Sequence, residues 1–553
     1  QKRFHIYLEI TVHSCILSSK IQQTYMTSNS TSHPKGLYFL YSTEMWERFN
    51  FYGMRAILSL FLVSALSFKQ DEAAILYGGF LGLSYLTPML GGYISDRYIG
   101  NRNSIIGGGF AMAIGQLLLF SSASTFKLDV PFATNLMWGG LVFLILGNGF
   151  FKPNISSMVG QLYKKGDSRL DAAFTIFYMG INTGAMLGML ICPWLGDVKV
   201  DGVRVIEAFK WGFLAAGAAM LIGTILFILL KGVFLKAPDG SEIGLAPTFS
   251  AIKSADEETE KAEFSTPSIV ISSALFIGLI IGFHYLFVTE VANPIKDWIY
   301  PVIYSAGISL AFLIMRDKTL TKIERDRIWV MYFVAFFVIF FWAAYEQAGS
   351  SLTFIADQQT DLNFFGIQLP PSSVQNANSF FIIILAFPFS WLWMRLAKKG
   401  IEPNSPGKQA IGLLLLAIGY LIIAIKVKNL GTDKLGVIWL FIMYLFHTMG
   451  ELSLSPIGLS LVSKLAPKRF SSLLMGVWFL ANAAGYALSG TLGALLPPAT
   501  AVVGQTVFPS FLGFEIKNLY DFFIVFVIMA GIASILLFGL ANGPLKKMMH
   551  GIR

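Results

Sequence analysis

Apolar residues along this chain gather into long runs broken by short polar stretches. A helix needs about 20 consecutive apolar residues to cross the hydrocarbon core of a bilayer. Runs of that length predict fourteen membrane-spanning helices, over residues 37–66, 73–98, 104–123, 132–161, 171–196, 209–235, 269–292, 297–315, 328–356, 378–398, 409–426, 436–465, 470–496 and 520–543. One longer polar stretch, 236–268, separates the first six from the remaining eight. It contains Asp256-Glu257-Glu258-Thr259-Glu260-Lys261. It has little apolar surface to bury, and so predicts a solvated linker.

Composition agrees with this pattern. Only 13% of the residues are charged, about half the share found in soluble globular chains. The two cysteines, Cys15 and Cys192, exclude a disulfide framework. The formal net charge of +9 raises nucleic acid as a partner, but the basic residues lie in the short loops between apolar runs. With the N-terminus in the cytoplasm, the inner loops and tail hold about twice as many Lys and Arg as the outer loops. That bias predicts both termini inside and explains the charge without nucleic acid. The first residues are not continuously apolar and make a poor signal peptide. Met26 opens a Ser/Thr-rich segment leading into the first run, so residues 1–25 are expected to be non-native sequence ahead of a start at Met26.

Ionisable residues inside spanning segments are costly, and they mark functional sites by default. Here Glu44, Glu47, Arg48 and Arg55 lie in the first run, Lys152 in the fourth, Glu346 in the 328–356 run and Glu451 in the 436–465 run. At 3.6 residues per turn the four charges of the first run share one face or neighbouring stripes, and that face needs a wet cavity or paired charges. A cavity carrying both signs suits a zwitterion, whose carboxylate seeks a cation and whose amine seeks an anion. Tyr52, Tyr85, Tyr178, Asn182, Trp342, Asn378, Trp478 and Asn482 also lie within apolar runs. Such side chains can line a pocket that takes varied groups and still offers hydrogen bonds.

Enzyme chemistry has no comparable footing. There is no strong phosphate-binding loop, zinc-ligand spacing or Ser-His-Asp arrangement, and no cofactor is expected. Gly107-Gly108-Gly109 falls within a run, where it predicts close helix packing. His284 and His447 lie in membrane segments, and His447, one turn before Glu451, is expected to make simple hydrogen bonds.

Glu44-Met-Trp-Glu47-Arg48-Phe49-Asn50-Phe51-Tyr52-Gly53-Met54-Arg55 resembles the E-x-x-E-R-F-x-x-Y-G motif of the proton-dependent oligopeptide transporter family. Phe177–Gly184 is similar to that family's fifth-helix signature, and Gly450–Gly458, around Glu451, to its tenth-helix signature. Gly92–Arg102 resembles the loop motif of the wider major facilitator superfamily. The resemblance implies an all-α membrane protein with the major facilitator fold: two six-helix bundles, 37–235 and 328–543, and two inserted helices over 269–315. Tails at 1–36 and 544–553 and the cytoplasmic linker 236–268 complete it. The inserted helices, and a short loop at 427–435 in place of a large extracellular domain, imply a prokaryotic-type member in the bacterial inner membrane, working as a single copy.

The resemblance also implies roles. Proton coupling falls to Glu44, Glu47, Arg48 and Glu346. Substrate binding falls to Arg55, Tyr52, Tyr85, Lys152, Tyr178, Asn182, Trp342, Asn378, Glu451, Trp478 and Asn482. Arg55 and Lys152 would meet the peptide carboxylate, and Glu451 and Asn378 would lie near the amine. The implied gates are Arg55 with Glu346 towards the outside and Lys152 with Glu451 towards the inside. The expected activity is import of di- and tripeptides with protons. Two positions depart from the family pattern. Gly78 stands where some members carry a second-helix His, and Phe51 replaces a Tyr common in the family. A transporter of nitrate or another small anion on the same fold is the alternative, against which Glu451 argues; a membrane enzyme or receptor is a more distant one.

Overall fold

The structure is a computed structural model. It describes residues 32–552 except 165, 248–261, 263, 290, 291, 429, 432 and 500–506. The expectation about residues 1–25 and Met26 lies outside the described residues, as do residues 248–261 and 263 of the 236–268 linker.

Fourteen long helices are described. In the first half they are α1 (Lys35–Ala65), α2 (Gln70–Ile94), α3 (Asn101–Thr125), α4 (Val130–Gln161), α5 (Leu170–Gly196) and α6 (Phe209–Phe234). Then come α7 (Thr266–Phe287) and α8 (Tyr300–Met315). The second half holds α9 (Lys322–Tyr345), α10 (Ala377–Lys398), α11 (Ser405–Val427), α12 (Val437–Leu465), α13 (Ser471–Gly493) and α14 (Leu519–Asn542). By length and composition, 13 of the helical stretches are apolar enough to cross a membrane. Helix α1 is not among them, although it is 31 residues long and mostly buried. Its interior charges remove it from an apolarity criterion while its length and packing keep it in the bundle.

Neighbouring helices repeat between the halves. Packing of α1 on α5, α2 on α4, α3 on α4 and α3 on α6 recurs as α9 on α13, α10 on α12, α11 on α12 and α11 on α14. The pair α7 and α8 stands outside this repeat; the two pack together, and α8 lies against α13. The architecture is therefore two six-helix bundles with two inserted helices. Helix α9 ends sooner than its apolar run: Glu346 caps it, a 3₁₀ turn covers Glu346–Gly349, and a short helix follows over Ser351–Gln358. Glu346 thus sits at a helix end.

Close approach of backbones sets where the charged side chains lie. A Cβ on Gly180, Gly184 or Gly188 of α5 would come within 3 Å of carbonyl oxygens of Tyr41, Met45 and Phe49 of α1. These glycines, one turn apart, seat α5 on the helix that carries the charge cluster, as small residues do at membrane helix interfaces. Between the halves, a Cβ on Gly78 of α2 would lie 2.7 Å from the Tyr486 carbonyl oxygen and 2.8 Å from Gly490 of α13. Gly78 therefore leaves no room for a side chain of any size. Of the 107–109 glycines, Gly108 packs against Gly147 and Gly109 against Thr224, while Gly107 faces open space. Prolines within α4 and α12 add local irregularity. Pro153 follows Lys152, Pro456 follows Glu451 by five residues, and each removes a helix hydrogen bond.

Part of the linker is docked. Arg102 Nη1 lies 2.7 Å from Glu242 Oε2, its Nη2 donates to the Leu235 carbonyl at 2.8 Å, and its backbone N–H donates to Gly244 O at 2.9 Å. Residues 235–244 are thereby tied to the loop-motif arginine, whereas a freely solvated segment was expected. His447 is fully buried with no hydrogen-bond partner on either ring nitrogen, against the simple hydrogen bonding expected; it packs among the rings of Tyr420, Tyr444 and Tyr345. His284 Nδ1 lies 2.8 Å from the Asp297 carbonyl oxygen.

Replacement of Gly78 by leucine is expected to force α2 from α13 and to destabilise the folded protein by about 1–3 kcal/mol. A lowered thermal midpoint of the purified variant in detergent would bear this out; an unchanged midpoint would contradict the close packing.

Candidate functional site

The α1 charges form a compact buried cluster. Arg48 Nε lies 2.8 Å from Glu44 Oε1 and 2.5 Å from Glu47 Oε2. All three side chains are essentially inaccessible. Two carboxylates and one guanidinium leave one negative charge in excess when all are ionised. Lys152 on α4 is within electrostatic reach of Glu47 and can balance it. Neither Glu47 oxygen has an aligned hydrogen bond, so the cluster is held by charge.

Two turns further along α1, Arg55 Nη2 lies 3.0 Å from Glu346 Oε2. This buried pair joins the two halves, and its neighbours do the same. Ser59 Oγ donates to Gly349 O at 2.5 Å, and Gln375 Nε2 to Ala56 O at 3.3 Å. Arg204 bridges Asp197 and Asp357 at 2.9 and 2.8 Å, Lys199 reaches Asp357 at 2.6 Å, and Ser372 Oγ donates to Asp197 at 2.6 Å. These bonds share one end of the molecule, where residues 55–59, 197–204 and 346–375 meet.

Glu451 has different company. Its Oε2 accepts from the Tyr345 hydroxyl and from Asn378 Nδ2 at 3.0 Å; Asn378 also donates to Thr448. Glu451 remains within electrostatic reach of Arg55 and Glu346, so the anion and the cations belong to one region. The expected Lys152–Glu451 pair is not formed in this structure. Lys152 instead places its ammonium 3.8 Å from the centre of the Tyr85 ring, a cation–π contact. Glu451 is already satisfied by two uncharged donors.

The aromatic residues frame this region. Tyr52 lies beneath the Arg55 guanidinium at 4.7 Å. The Tyr85 ring meets Tyr486 at 4.6 Å, and Tyr486 meets Trp342 at 5.7 Å. Tyr178 is partly exposed, and its carbonyl accepts from Asn182 Nδ2 at 3.0 Å. Asn482 is buried with an unpartnered Oδ1. Trp478 is buried against Gly458, the last glycine of the tenth-helix motif, where a Cβ would strike its ring; it packs more than it lines. Phe51 stacks on Phe80 and is 2% exposed, so its missing hydroxyl lies within the packing, where a hydroxyl would need a partner.

Sequence reading missed Tyr345, Tyr486, Thr448 and the Asp197–Arg204–Asp357 network. A signal existed for the first two. Tyr486 lies one helical turn after Asn482, on the same face. Tyr345 precedes Glu346 by one residue, which turns the two side chains about 100° apart, one towards Glu451 and the other towards Arg55.

A family model described as PTR2, POT family, matches residues 102–507. The chain belongs to the POT family. It is 33% identical over 469 residues to a peptide transporter of Yersinia enterocolitica, covering 83% of this chain and 88% of that protein. It is 32% identical over 535 residues to a di-/tripeptide transporter of Lactococcus lactis subsp. lactis, covering 94% and 97%. Among solved structures, a peptide transporter POT in complex with sulfate matches with a TM-score of 0.74 at 30% identity, covering 95% of this chain and 97% of that one. A POT family transporter in complex with 5-aminolevulinic acid matches with a TM-score of 0.72 at 27% identity, covering 93% and 98%. The chain is thus a multi-pass membrane transporter of the POT family, and its motif residues converge on one buried region.

In this POT-family protein, replacing one member of the Arg55–Glu346 pair leaves its partner buried and uncompensated. Arg55→Ala is expected to lower stability by about 3–5 kcal/mol, and Arg55→Met combined with Glu346→Leu to lower it much less. Thermal unfolding in detergent compares them; equal losses in the two variants would contradict the buried pairing.

Proposed function

We propose that this POT-family protein is a proton-coupled symporter that brings di- and tripeptides into the cell by alternating access. The observation that carries the reading is one region inside the bundle that offers the buried Arg55 and the half-buried Lys152 as cations and the half-buried Glu451 as an anion. A short peptide presents the complementary ends. Its carboxylate fits beside Arg55 and Lys152, and its amine beside Glu451 and Asn378. The Tyr52, Tyr85, Tyr178 and Trp342 rings accept varied side chains, and Asn182 meets the peptide backbone.

The cluster around Arg48 supplies the coupling. A proton on Glu44 or Glu47 removes its excess negative charge and releases Lys152 to the substrate. A proton on Glu346 weakens its hold on Arg55 and frees that guanidinium for the peptide carboxylate. With both termini in the cytoplasm of a bacterial inner membrane, the bonds around Arg55–Glu346 and Arg204–Asp357 close the outer end. The inner end is open: Lys152 and Glu451 are apart, and Ser379 and Ile382, near the outer end of α10, are that helix's buried residues. Peptide arriving between Lys152 and Glu451 competes with their closure, and the halves rock about a site near the bilayer midplane. Each proton entering gains about 2.3 kcal/mol per 100 mV of membrane potential. One protein suffices for the cycle, and no cofactor is called for. A simple anion such as nitrate leaves Glu451 facing nothing of opposite charge.

Two outcomes are expected in proteoliposomes. Glu47→Gln should lose accumulation of a labelled dipeptide driven by a pH gradient while keeping exchange of labelled for unlabelled peptide; gradient-driven uptake at the wild-type rate would contradict the coupling role. Unlabelled di- and tripeptides should compete with wild-type uptake and nitrate should not; competition by nitrate would favour the anion reading.

A further inference from the structure

A second cavity, of about 830 Å³, lies away from the charged region and shares none of its residues. It is a groove between the inserted pair and the second half. Phe283 and Phe287 of α7, Gly307 of α8, Phe336 of α9 and Leu480 of α13 are among its walls. Arg316, at the C-terminal end of α8, lines one extremity together with Trp329. The volume falls within the range of small-molecule sites, about 300–1,000 Å³. The groove is almost wholly apolar and lies among spanning helices, so the material available to fill it is lipid.

The charge at its end narrows the choice. The Arg316 guanidinium has no carboxylate partner among the described residues; it rests over the Phe312 ring at 5.6 Å. The adjacent Asp317 forms no ion pair with it. That carboxylate is buried and accepts from the Thr319 amide at 2.7 Å and its hydroxyl at 2.5 Å. Glu324 is likewise engaged by Arg469 at 2.9 Å. Lys318 on the connecting loop and Lys322 and Arg325 in the first turn of α9 are exposed. A long apolar groove ending at an uncompensated guanidinium, with further cations beside it, complements an acyl chain joined to an anionic headgroup.

We propose that this groove binds an anionic phospholipid, its acyl chain lying between α8 and the α9/α13 face and its phosphate meeting Arg316. The inserted helices then act as a lipid-binding wall on the second bundle. Basic residues at a cytoplasmic membrane surface attract anionic lipid by about 1 kcal/mol each, and one such contact corresponds to about fivefold in occupancy.

Trp329 lies in the groove and supplies a reporter. The full-length protein is reconstituted with bromine-labelled acyl chains on either phosphatidylglycerol or phosphatidylcholine. Subtracting the emission of Trp329→Phe isolates the signal of Trp329. The anionic lipid should quench that signal at about fivefold lower mole fraction than the zwitterionic one. Arg316→Gln should abolish the preference without changing quenching by phosphatidylcholine, and Arg316→Lys should retain it. Equal quenching by the two lipids in the wild type, or a preference that survives Arg316→Gln, would overturn the proposal.

Discussion

Charge inside a low-dielectric membrane has to be compensated, and the organisation of this protein follows from how that is done. Removing an ion from water costs several kcal/mol even after relaxation. Seven ionisable groups nevertheless occupy its interior: Glu44, Glu47, Arg48, Arg55, Lys152, Glu346 and Glu451. Some compensation is fixed, as where Arg48 holds two carboxylates within 2.8 and 2.5 Å. Some spans the two halves, as with Arg55 and Glu346 at 3.0 Å. Lys152 rests on an aromatic face within electrostatic reach of Glu47, with no direct ion pair in this conformation. A protein with fixed pairs alone would be static. One with exchangeable partners can couple a proton, a substrate and a conformation, because each can supply the charge that another gives up.

The end of α9 places two of these choices side by side. Glu346 reaches Arg55 across the bundle interface, while the neighbouring Tyr345 donates to Glu451. Loss of the Arg55 contact therefore disturbs the same helix end that holds the proposed amine site. The break in α9 at Glu346, where a 3₁₀ turn replaces the helix, lies where such a change has least helix to carry with it. The Gly180–Gly184–Gly188 stripe plays the opposite part. It fixes α5 tightly on α1 and keeps the Arg48 cluster in place while the halves move.

Much of this was legible from the chain. Apolar runs located fourteen helices because the bilayer demands continuous apolar length, and the charges within those runs pointed to the site because few other positions could bear them. Tyr345 and Tyr486 were harder to see, since a tyrosine in an apolar run resembles an interfacial or packing residue until its hydroxyl partner is known. The Asp197–Arg204–Asp357 network was hidden for another reason. Its members lie 153–175 residues from their cross-half partners, beyond the apolar runs, where charges are ordinary. The pairing of Lys152 depends on conformation, which no local pattern records.

The central claim is that substrate and proton share one balance of buried charge. Its most direct test is the proton stoichiometry of binding. A dipeptide is added to the purified protein in weakly buffered detergent solution near neutral pH, and a pH indicator reports proton exchange. Net uptake of protons on binding, with peptide affinity rising as pH falls, is the predicted result. Binding without proton exchange, at an affinity independent of pH, would contradict the account.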